Sequence, residues 1–184
     1  MTPLFLLLAL ASPLLALLAG LLGWLLIRTR RRLERLMHEA RHDALTGLPN
    51  RRGLEALWPA QLDPLALLMV DLVGFKAVND AHGHLVGDGL LRQVAARLES
   101  AIPPPGRLGR WGGDEFVAIV PAAEAETTAQ RLAAASVIPF DLSGEGGPAR
   151  VAIGVRTGLA DPAGTLEEAL ASAASRLHAA RRTA

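Results

Sequence analysis

Three acidic residues fall where two neighbouring strands would end. Asp71 comes at the end of a continuous apolar run, Leu65–Leu72, which is typical of a strand buried on both faces. Asp114 and Glu115 follow Gly112-Gly113 in the predicted turn of a β-hairpin. Carboxylates brought together at one sheet edge are hard oxygen ligands that suit Mg²⁺, an ion usually shared with phosphates. The pattern therefore favours an in-line displacement at phosphorus, with solvated turn carboxylates as the alternative.

Further polar residues follow Asp71 on a predicted helix–turn–helix. Lys76, the chain's one lysine, comes about one helical turn later, where its ammonium could contact phosphate oxygens. Asn79 and Asp88 offer an amide and a carboxylate, which together match the N1–H and N2 amino donors of guanine. The alternatives are an exposed helical lysine, a C-terminal helix residue at Asn79 and a helix N-cap at Asp88.

Composition excludes several other chemistries. The 184-residue chain has no cysteine, which rules out disulfides, thiolate metal sites and a cysteine nucleophile. Its net charge of +1 gives no global basic field, so no nucleic acid partner is predicted. The sequence also has no phosphate-binding P-loop, no dinucleotide fingerprint and no serine in a nucleophile elbow. Carboxylate and metal chemistry therefore remains the leading interpretation.

The first 27 residues differ sharply from the rest. No charged side chain occurs from Thr2 to Ile27, and a helix of that length can span a bilayer core of about 30 Å. A cleavable signal peptide fits less well, because its charged n-region is missing and the apolar run is too long. Residues 1–27 are therefore predicted to form one transmembrane helix, with a buried core helix as the other alternative.

Residues 28–42 are predicted to form a basic juxtamembrane stalk. Its arginines, offset by Glu34 and Glu39, are Arg28, Arg30, Arg31, Arg32, Arg35 and Arg41. Such a cluster predicts that the following domain lies on the cytoplasmic side of the membrane, and it could bind anionic lipid headgroups. Apolar residues at helical spacing, which could pair two chains, are Leu33, Leu36, Met37 and Ala40.

Residues 43–184 are predicted to form one domain with the element order β-α-α-β-β-α-β-α. The strands are predicted at 65–72, 108–111, 115–120 and 151–155, and a glycine-containing loop at 144–147. The helices are predicted near 51–58, 75–81, from about 87 to 102, at 123–136 and at 165–182, the last capped by Thr165. This alternation predicts an α/β (α+β) domain of the split βαβ, ferredoxin-like class, with a mixed sheet covered by helices.

Three runs of residues resemble one known family. They are Asp43-Ala-Leu-Thr-Gly-Leu-Pro-Asn-Arg-Arg52, the segment from Asp71 to Asp88, and Arg110-Trp-Gly-Gly-Asp-Glu-Phe116. In this order they resemble the diguanylate cyclases, whose GGDEF signature stands in the third run, and the resemblance covers residues 43–184. It implies a palm-like sheet and the condensation of two GTP molecules into cyclic di-GMP with release of pyrophosphate. It also implies a homodimer, because each domain holds one GTP and the two domains face each other.

The resemblance implies a role for each matching residue. The ligands of Mg²⁺, with Mn²⁺ as an alternative ion, would be Asp71, the Leu72 carbonyl, Asp114 and Glu115. Asp114 would also be the general base for the 3′-hydroxyl. The substrate would be bound by Lys76, Asn79, His84, Asp88 and Arg181, with Arg181 in place of the family's phosphate-binding lysine.

Some positions depart from the family pattern. Val73 stands where a second Asp is usual, and the last helix, Ala173–Arg181, matches the family motif least. The family's later arginine, which follows that helix, has no counterpart before Ala184. These departures motivate an alternative hypothesis, a catalytically weak or inactive GGDEF module that binds GTP or a protein partner. A protein partner, lipid or lateral association is also the expected source of input.

Overall fold

The computed structural model describes residues 3–58, 64–144, 147–160 and 164–182, with side chains at 15–58, 64–143, 147–160 and 164–180. The chain divides into two compact units, Met1–Ala40 and Arg41–Ala184. The side chains of residues 1–14, about half of the predicted transmembrane helix, therefore lie outside the described part of the structure. The side chain of Arg181 lies outside it as well.

The first unit is a single helix. Helix α1 runs from Pro3 to Arg41, and its described side chains are almost all exposed. Within the part of the chain that the structure describes, no helix combines the length and the apolar character needed to cross a membrane. The prediction of a transmembrane helix thus finds no support in the structure.

The second unit is built on a four-stranded sheet with the order β2-β3-β1-β6. Its strands are β1 (Leu65–Val73), β2 (Arg107–Gly112), β3 (Glu115–Pro121) and β6 (Gly154–Leu159). Its helices are α2 (Arg51–Leu57), α3 (Phe75–His82), α4 (His84–Ala101), α5 (Ala125–Ala135) and α6 (Leu166–Arg182), with a short 3₁₀ turn at Ala122–Glu124.

All neighbouring strands in this sheet are antiparallel, so the predicted mixed sheet is wrong. The reason lies in the connections. Each helical crossover joins two parallel strands, but another strand always lies between them: β3 lies between β1 and β2, and β1 lies between β3 and β6. The α+β class and the ferredoxin-like order of elements are as predicted.

Strand β1 is buried on both faces, as its continuous apolar pattern predicted. Leu68 and Val70 belong to one cluster of buried side chains, which includes residues of α4 and α5. Leu67 and Met69 alternate with them and belong to a second cluster, which includes residues of α6 and α2. The central strand is thereby fixed between two layers of helices, and the position of its last residues is fixed with it.

Three local predictions are corrected. Two strands beside the predicted loop at 144–147 were missed by the sequence analysis: β4 (Phe140–Gly144) and β5 (Gly147–Val151) pair antiparallel, and β4 packs against α4 through Phe140 and Leu142. The strand predicted at 151–155 is β6, displaced to 154–159. Helix α4 begins at His84, so Asp88 lies inside the helix and is no N-cap.

The predicted cap of the last helix is confirmed. The Thr165 hydroxyl accepts a hydrogen bond from the Glu168 N–H at 3.2 Å, and the Glu168 carboxylate accepts one from the Thr165 N–H at 3.1 Å. This reciprocal pair is a capping box that sets the first turn of α6.

Candidate active site

The strand register brings two of the candidate carboxylates to one sheet edge. Asp71 of β1 is the direct cross-strand partner of Glu115, the first residue of β3. Side chains of directly opposed residues lie on the same face and close together. Asp71 is only 4% exposed, Glu115 is half-buried, and Asp114 is half-buried in the turn immediately before it. The fold therefore pairs Asp71 with Glu115, and Asp114 precedes Glu115 in the chain.

The turn that carries Asp114 is held by one guanidinium group. Gly113 has a φ of +53°, which a glycine adopts without strain. Arg110 donates from Nε and Nη2 to the Gly113 carbonyl at 3.0 and 2.8 Å, and from Nη1 to Asp43 Oδ1 at 2.9 Å. The same Asp43 oxygen accepts hydrogen bonds from the N–H and the hydroxyl of Thr46. Arg110 thereby joins the hairpin turn to the loop that follows α1.

Asp43 is a half-buried carboxylate whose pKa is shifted. Burial by itself raises its pKa, but the hydrogen bonds from Arg110 and Thr46 outweigh that effect and bring the pKa below 3.8, its ordinary value. Because the pKa of Asp43 is lower in the folded state than in the unfolded state, ionised Asp43 stabilises the fold at pH values above its unfolded-state pKa. This stabilisation is lost as the pH falls through the folded-state pKa.

We expect Asp43→Asn to destabilise the domain at neutral pH by about 1.5–3 kcal/mol, the usual contribution of a hydrogen bond to a charged group. Thermal unfolding followed by circular dichroism at pH 7 and pH 3 would measure the difference from wild type, which should shrink at pH 3. Asp141→Asn is the control, because Asp141 is 85% exposed and lies 3.7 Å from Arg150. A difference that stays constant between the two pH values would contradict the prediction.

The predicted guanine site contains a buried acceptor without a partner. Asn79 Oδ1 is buried and has no hydrogen bond within the described structure. It lies against Gly87 of α4, where an added Cβ would be 1.8 Å from it. An unsatisfied buried oxygen costs about 1–3 kcal/mol, so such atoms often mark a place that a ligand completes. Asp88 follows Gly87 in α4 and is half-buried.

The other predicted substrate residues are more open. Lys76 is exposed in the first turn of α3, and His84 is exposed at the first position of α4. The buried Leu72, whose carbonyl is a predicted metal ligand, follows Asp71 in β1. Arg181 lies near the end of α6, and its side chain is outside the described residues.

The donor set fits a magnesium ion shared with a nucleotide. Among the described residues, no group of three or more His, Asp or Glu side chains is arranged to hold a metal ion by itself. Mg²⁺ does not require such a cage, because it is commonly bound by one or two carboxylates, waters and substrate phosphates. The paired Asp71 and Glu115, with Asp114 beside them, supply that smaller set of oxygens.

One residue near the carboxylates was missed by the sequence analysis. Arg156 of β6 is the cross-strand partner of Asp71 on the side opposite Glu115, so it lies on the same sheet face. It is half-buried, and it has no hydrogen bond or ion pair within the described part of the chain. The signal that could have found it is the strand register, which the displaced prediction of β6 did not provide.

These features define a class of protein before any comparison is made. A ferredoxin-like antiparallel sheet carries paired carboxylates at one edge, and a helix that follows its central strand holds a buried acceptor without a partner, which defines an α+β domain with a candidate metal and ligand site. Residues 40–184 match the family described as diguanylate cyclase, GGDEF domain. The chain belongs to this family.

Relatives of known and unknown activity share this similarity. The bifunctional diguanylate cyclase/cyclic di-GMP phosphodiesterase MucR of Pseudomonas aeruginosa is 42% identical over 118 residues, 59% of this chain and 17% of MucR. An uncharacterized 19.3 kDa protein of Streptomyces ambofaciens is 37% identical over 176 residues, covering 90% of this chain and 91% of that protein. The chain spans only 15% to 17% of the length of MucR and of two further curated relatives.

A solved structure shows the same fold. The coiled coil and GGDEF domain of DgcB from Caulobacter crescentus, in complex with c-di-GMP, superposes with a TM-score of 0.74 at 28% identity. The match covers 86% of this chain and 89% of that chain.

Proposed function

We propose that the protein is a diguanylate cyclase, which condenses two GTP molecules into cyclic di-GMP and releases pyrophosphate. The observation that carries the proposal is the cross-strand pair Asp71–Glu115 with Asp114 in the adjoining turn. Family membership and the name of MucR support the same reaction.

The proposed reaction uses the chain's residues in distinct roles. Asp71, Asp114, Glu115 and the Leu72 carbonyl would hold Mg²⁺, or Mn²⁺, which stabilises negative charge on the transferring phosphoryl group. Asp114 accepts the proton of the 3′-hydroxyl of one GTP while the 3′-oxygen attacks the α-phosphorus of the other GTP. The bond from that phosphorus to the bridging oxygen breaks, and pyrophosphate leaves. Each of the two phosphodiester bonds of the product forms in this way.

Base selection is assigned to Asn79 and Asp88. The unpartnered Asn79 Oδ1 is an acceptor for a guanine N–H donor, and the Asp88 carboxylate accepts a second one. Adenine lacks the N1–H and N2 amino donors, so it would leave the buried acceptor unsatisfied. His84 and Lys76 would contact the ribose end and the phosphates, and Arg181 would add a second phosphate contact.

The reaction requires a homodimer, because each domain supplies one GTP to a shared reaction centre. Helix α1 offers a face for pairing: the exposed leucines Leu22, Leu26, Leu33 and Leu36 follow one another at spacings of four, seven and three residues. These spacings fit the a and d positions that form the seam of a two-stranded coiled coil, with Thr29 at the intervening position. The coiled coil in the DgcB structure supports this arrangement.

We place the protein at the bacterial inner membrane, with residues 43–184 in the cytoplasm. The support is the uncharged segment Thr2–Ile27 and the arginines that follow it. Fractionation of cells that express the full chain should recover it with membranes after a high-salt wash. Recovery in the soluble fraction would contradict this localisation. A protein partner remains a candidate source of input.

Arg156 is proposed to bind the triphosphate from its position beside Asp71. We expect Arg156→Ala to raise the KM for GTP about tenfold or more with a smaller change in kcat, because a charge-assisted hydrogen bond to the ground-state phosphates is lost. Initial rates over a range of GTP concentrations would measure this, together with calorimetric binding of a non-hydrolysable GTP analogue. Arg92→Ala, an exposed change on α4, is the control, and an unchanged KM and affinity in Arg156→Ala would refute the role.

The second candidate function is a GGDEF module that binds GTP or a protein partner without turnover. The observation that favours it is Val73, a half-buried valine at the end of β1 where the family motif has a second carboxylate. To separate the two, the full chain in mild detergent is incubated with GTP and Mg²⁺ and the products are separated with mass detection. Cyclic di-GMP supports the cyclase. GTP binding by a dimeric protein without product supports the module.

A further inference from the structure

The C-terminal half of α1 carries a positively charged cleft. Arg28, Arg31, Arg32 and Arg35, together with Trp24 and Ile27, line a space of about 490 Å³. At 100° per residue these positions fall on one side of the helix, and their side chains are exposed or nearly so. The cleft is lined by residues of α1 alone.

No ion pair neutralises the arginines of this cleft within the described residues. Of the two carboxylates in this part of α1, Glu34 accepts a hydrogen bond from Arg30 at 3.0 Å on another part of the helix surface, and Glu39, four residues after Arg35, forms no ion pair with it. Within the described residues, Arg31, Arg32 and Arg35 have no hydrogen bond or ion pair. Like charges three or four residues apart repel one another, so an anion bound between these guanidinium groups would stabilise the helix.

The residues around the cleft favour a ligand that has both an apolar part and a negatively charged group. Trp24 lies at its N-terminal end, and the Arg28 guanidinium stacks on the indole with 5.0 Å to the ring centroid. Beyond Trp24 the helix exposes apolar side chains such as Leu17 and Leu21. Tryptophan favours the boundary between hydrocarbon and water, and arginines beside it meet the headgroup layer. Apolar contacts thus precede charged ones along one helix face.

We propose that this face of α1 binds the headgroups of anionic phospholipids, of the phosphatidylglycerol class, at the surface of the membrane. The proposal deepens the proposed membrane attachment by naming the lipid. The leucine seam lies on the opposite side of the helix, so pairing of two chains leaves the arginines free to meet the lipid. The domain would accordingly be held at a surface where anionic lipid is concentrated.

The test uses the full chain in mixed detergent micelles that contain either brominated phosphatidylglycerol or brominated phosphatidylcholine. Quenching of tryptophan fluorescence is recorded against lipid mole fraction. We expect half-quenching at a much lower fraction of phosphatidylglycerol, and a weaker preference at high salt. Arg28→Gln combined with Arg31→Gln and Arg35→Gln should weaken the preference about a hundredfold, or about fivefold for each arginine.

The matched control removes the same charge from exposed positions of the second unit, Arg92→Gln with Arg131→Gln and Arg150→Gln, and should keep the preference. Equal quenching by the two lipids, or a preference that survives the triple change in α1, would overturn the proposal. Inorganic phosphate is added in a third arm, and abolition of the preference by millimolar phosphate would identify a site for the free ion instead. Membrane recovery in fractionation together with equal quenching would separate failure of this proposal from failure of the membrane attachment.

Discussion

Replacing Asp114 by Asn is expected to lower the rate of cyclic di-GMP formation by about a thousandfold or more. Asparagine has nearly the same shape, but it carries no charge and cannot accept the proton of the 3′-hydroxyl. General base catalysis alone contributes about 10²–10⁴-fold, and the weaker hold on the metal ion adds to the loss. The measurement is the initial rate of product formation from GTP and Mg²⁺ for the full chain, with mass detection.

The fold should survive this substitution, because the turn is held by Arg110 and Gly113 and not by the Asp114 side chain. Thermal unfolding within a few degrees of wild type would show this. Asp141→Asn removes an exposed carboxylate that has no proposed role in the site, and it should leave the rate unchanged. Residual activity of Asp114→Asn within tenfold of wild type would refute the role of this carboxylate, even if the protein proved to be a cyclase.

Gly87→Ala is expected to weaken GTP binding, with an increase in KM of about a hundredfold. A Cβ at position 87 would lie 1.8 Å from Asn79 Oδ1 and 3.4 Å from the Phe75 ring, so the Asn79 amide would have to leave its position. A buried hydrogen bond to the base would be lost, and discrimination against nucleotides without that donor would be lost with it. Competition between GTP and ATP for binding, measured by calorimetry, would report both effects.

Gly89→Ala is the matched control for this change. It lies two residues further along α4, and its added Cβ would meet only Leu142 Cδ2, at 3.9 Å. Alanine is favoured over glycine in a helix by about 1 kcal/mol, so this variant should bind GTP normally and unfold at a slightly higher temperature. Equal GTP affinity in the two variants would show that the space beside Asn79 is not part of the base site.

The sequence predicted those parts of the fold that depend on local patterns. The apolar run of β1, the stop at Pro103 after α4 and the glycines before Asp114 each act within a few residues, and each corresponds to an observed element. The hairpin of β4 and β5 was missed because its strands are short and contain Gly144, Gly147 and Pro148, residues typical of loops.

The candidate site divides in the same way. Asp71, Asp114 and Glu115 could be placed because a strand end and a hairpin turn are both local signals. Arg156 and the contact between Arg110 and Asp43 could not, because each depends on pairing between distant segments: Arg110 and Asp43 are 67 residues apart. A sequence period carries no information about which strands become neighbours.

The three hydrogen bonds donated by Arg110 have a consequence for how the protein could be switched. They join the loop at residues 43–46 to the turn of Asp114, so in the proposed dimer a torque applied at the start of the domain would have to break them to reshape this part of the site. Input from the N-terminal side would then change how often two GTP-loaded domains meet. The rate of cyclic di-GMP formation would be set by the local concentration of one domain around the other, as in a proximity switch.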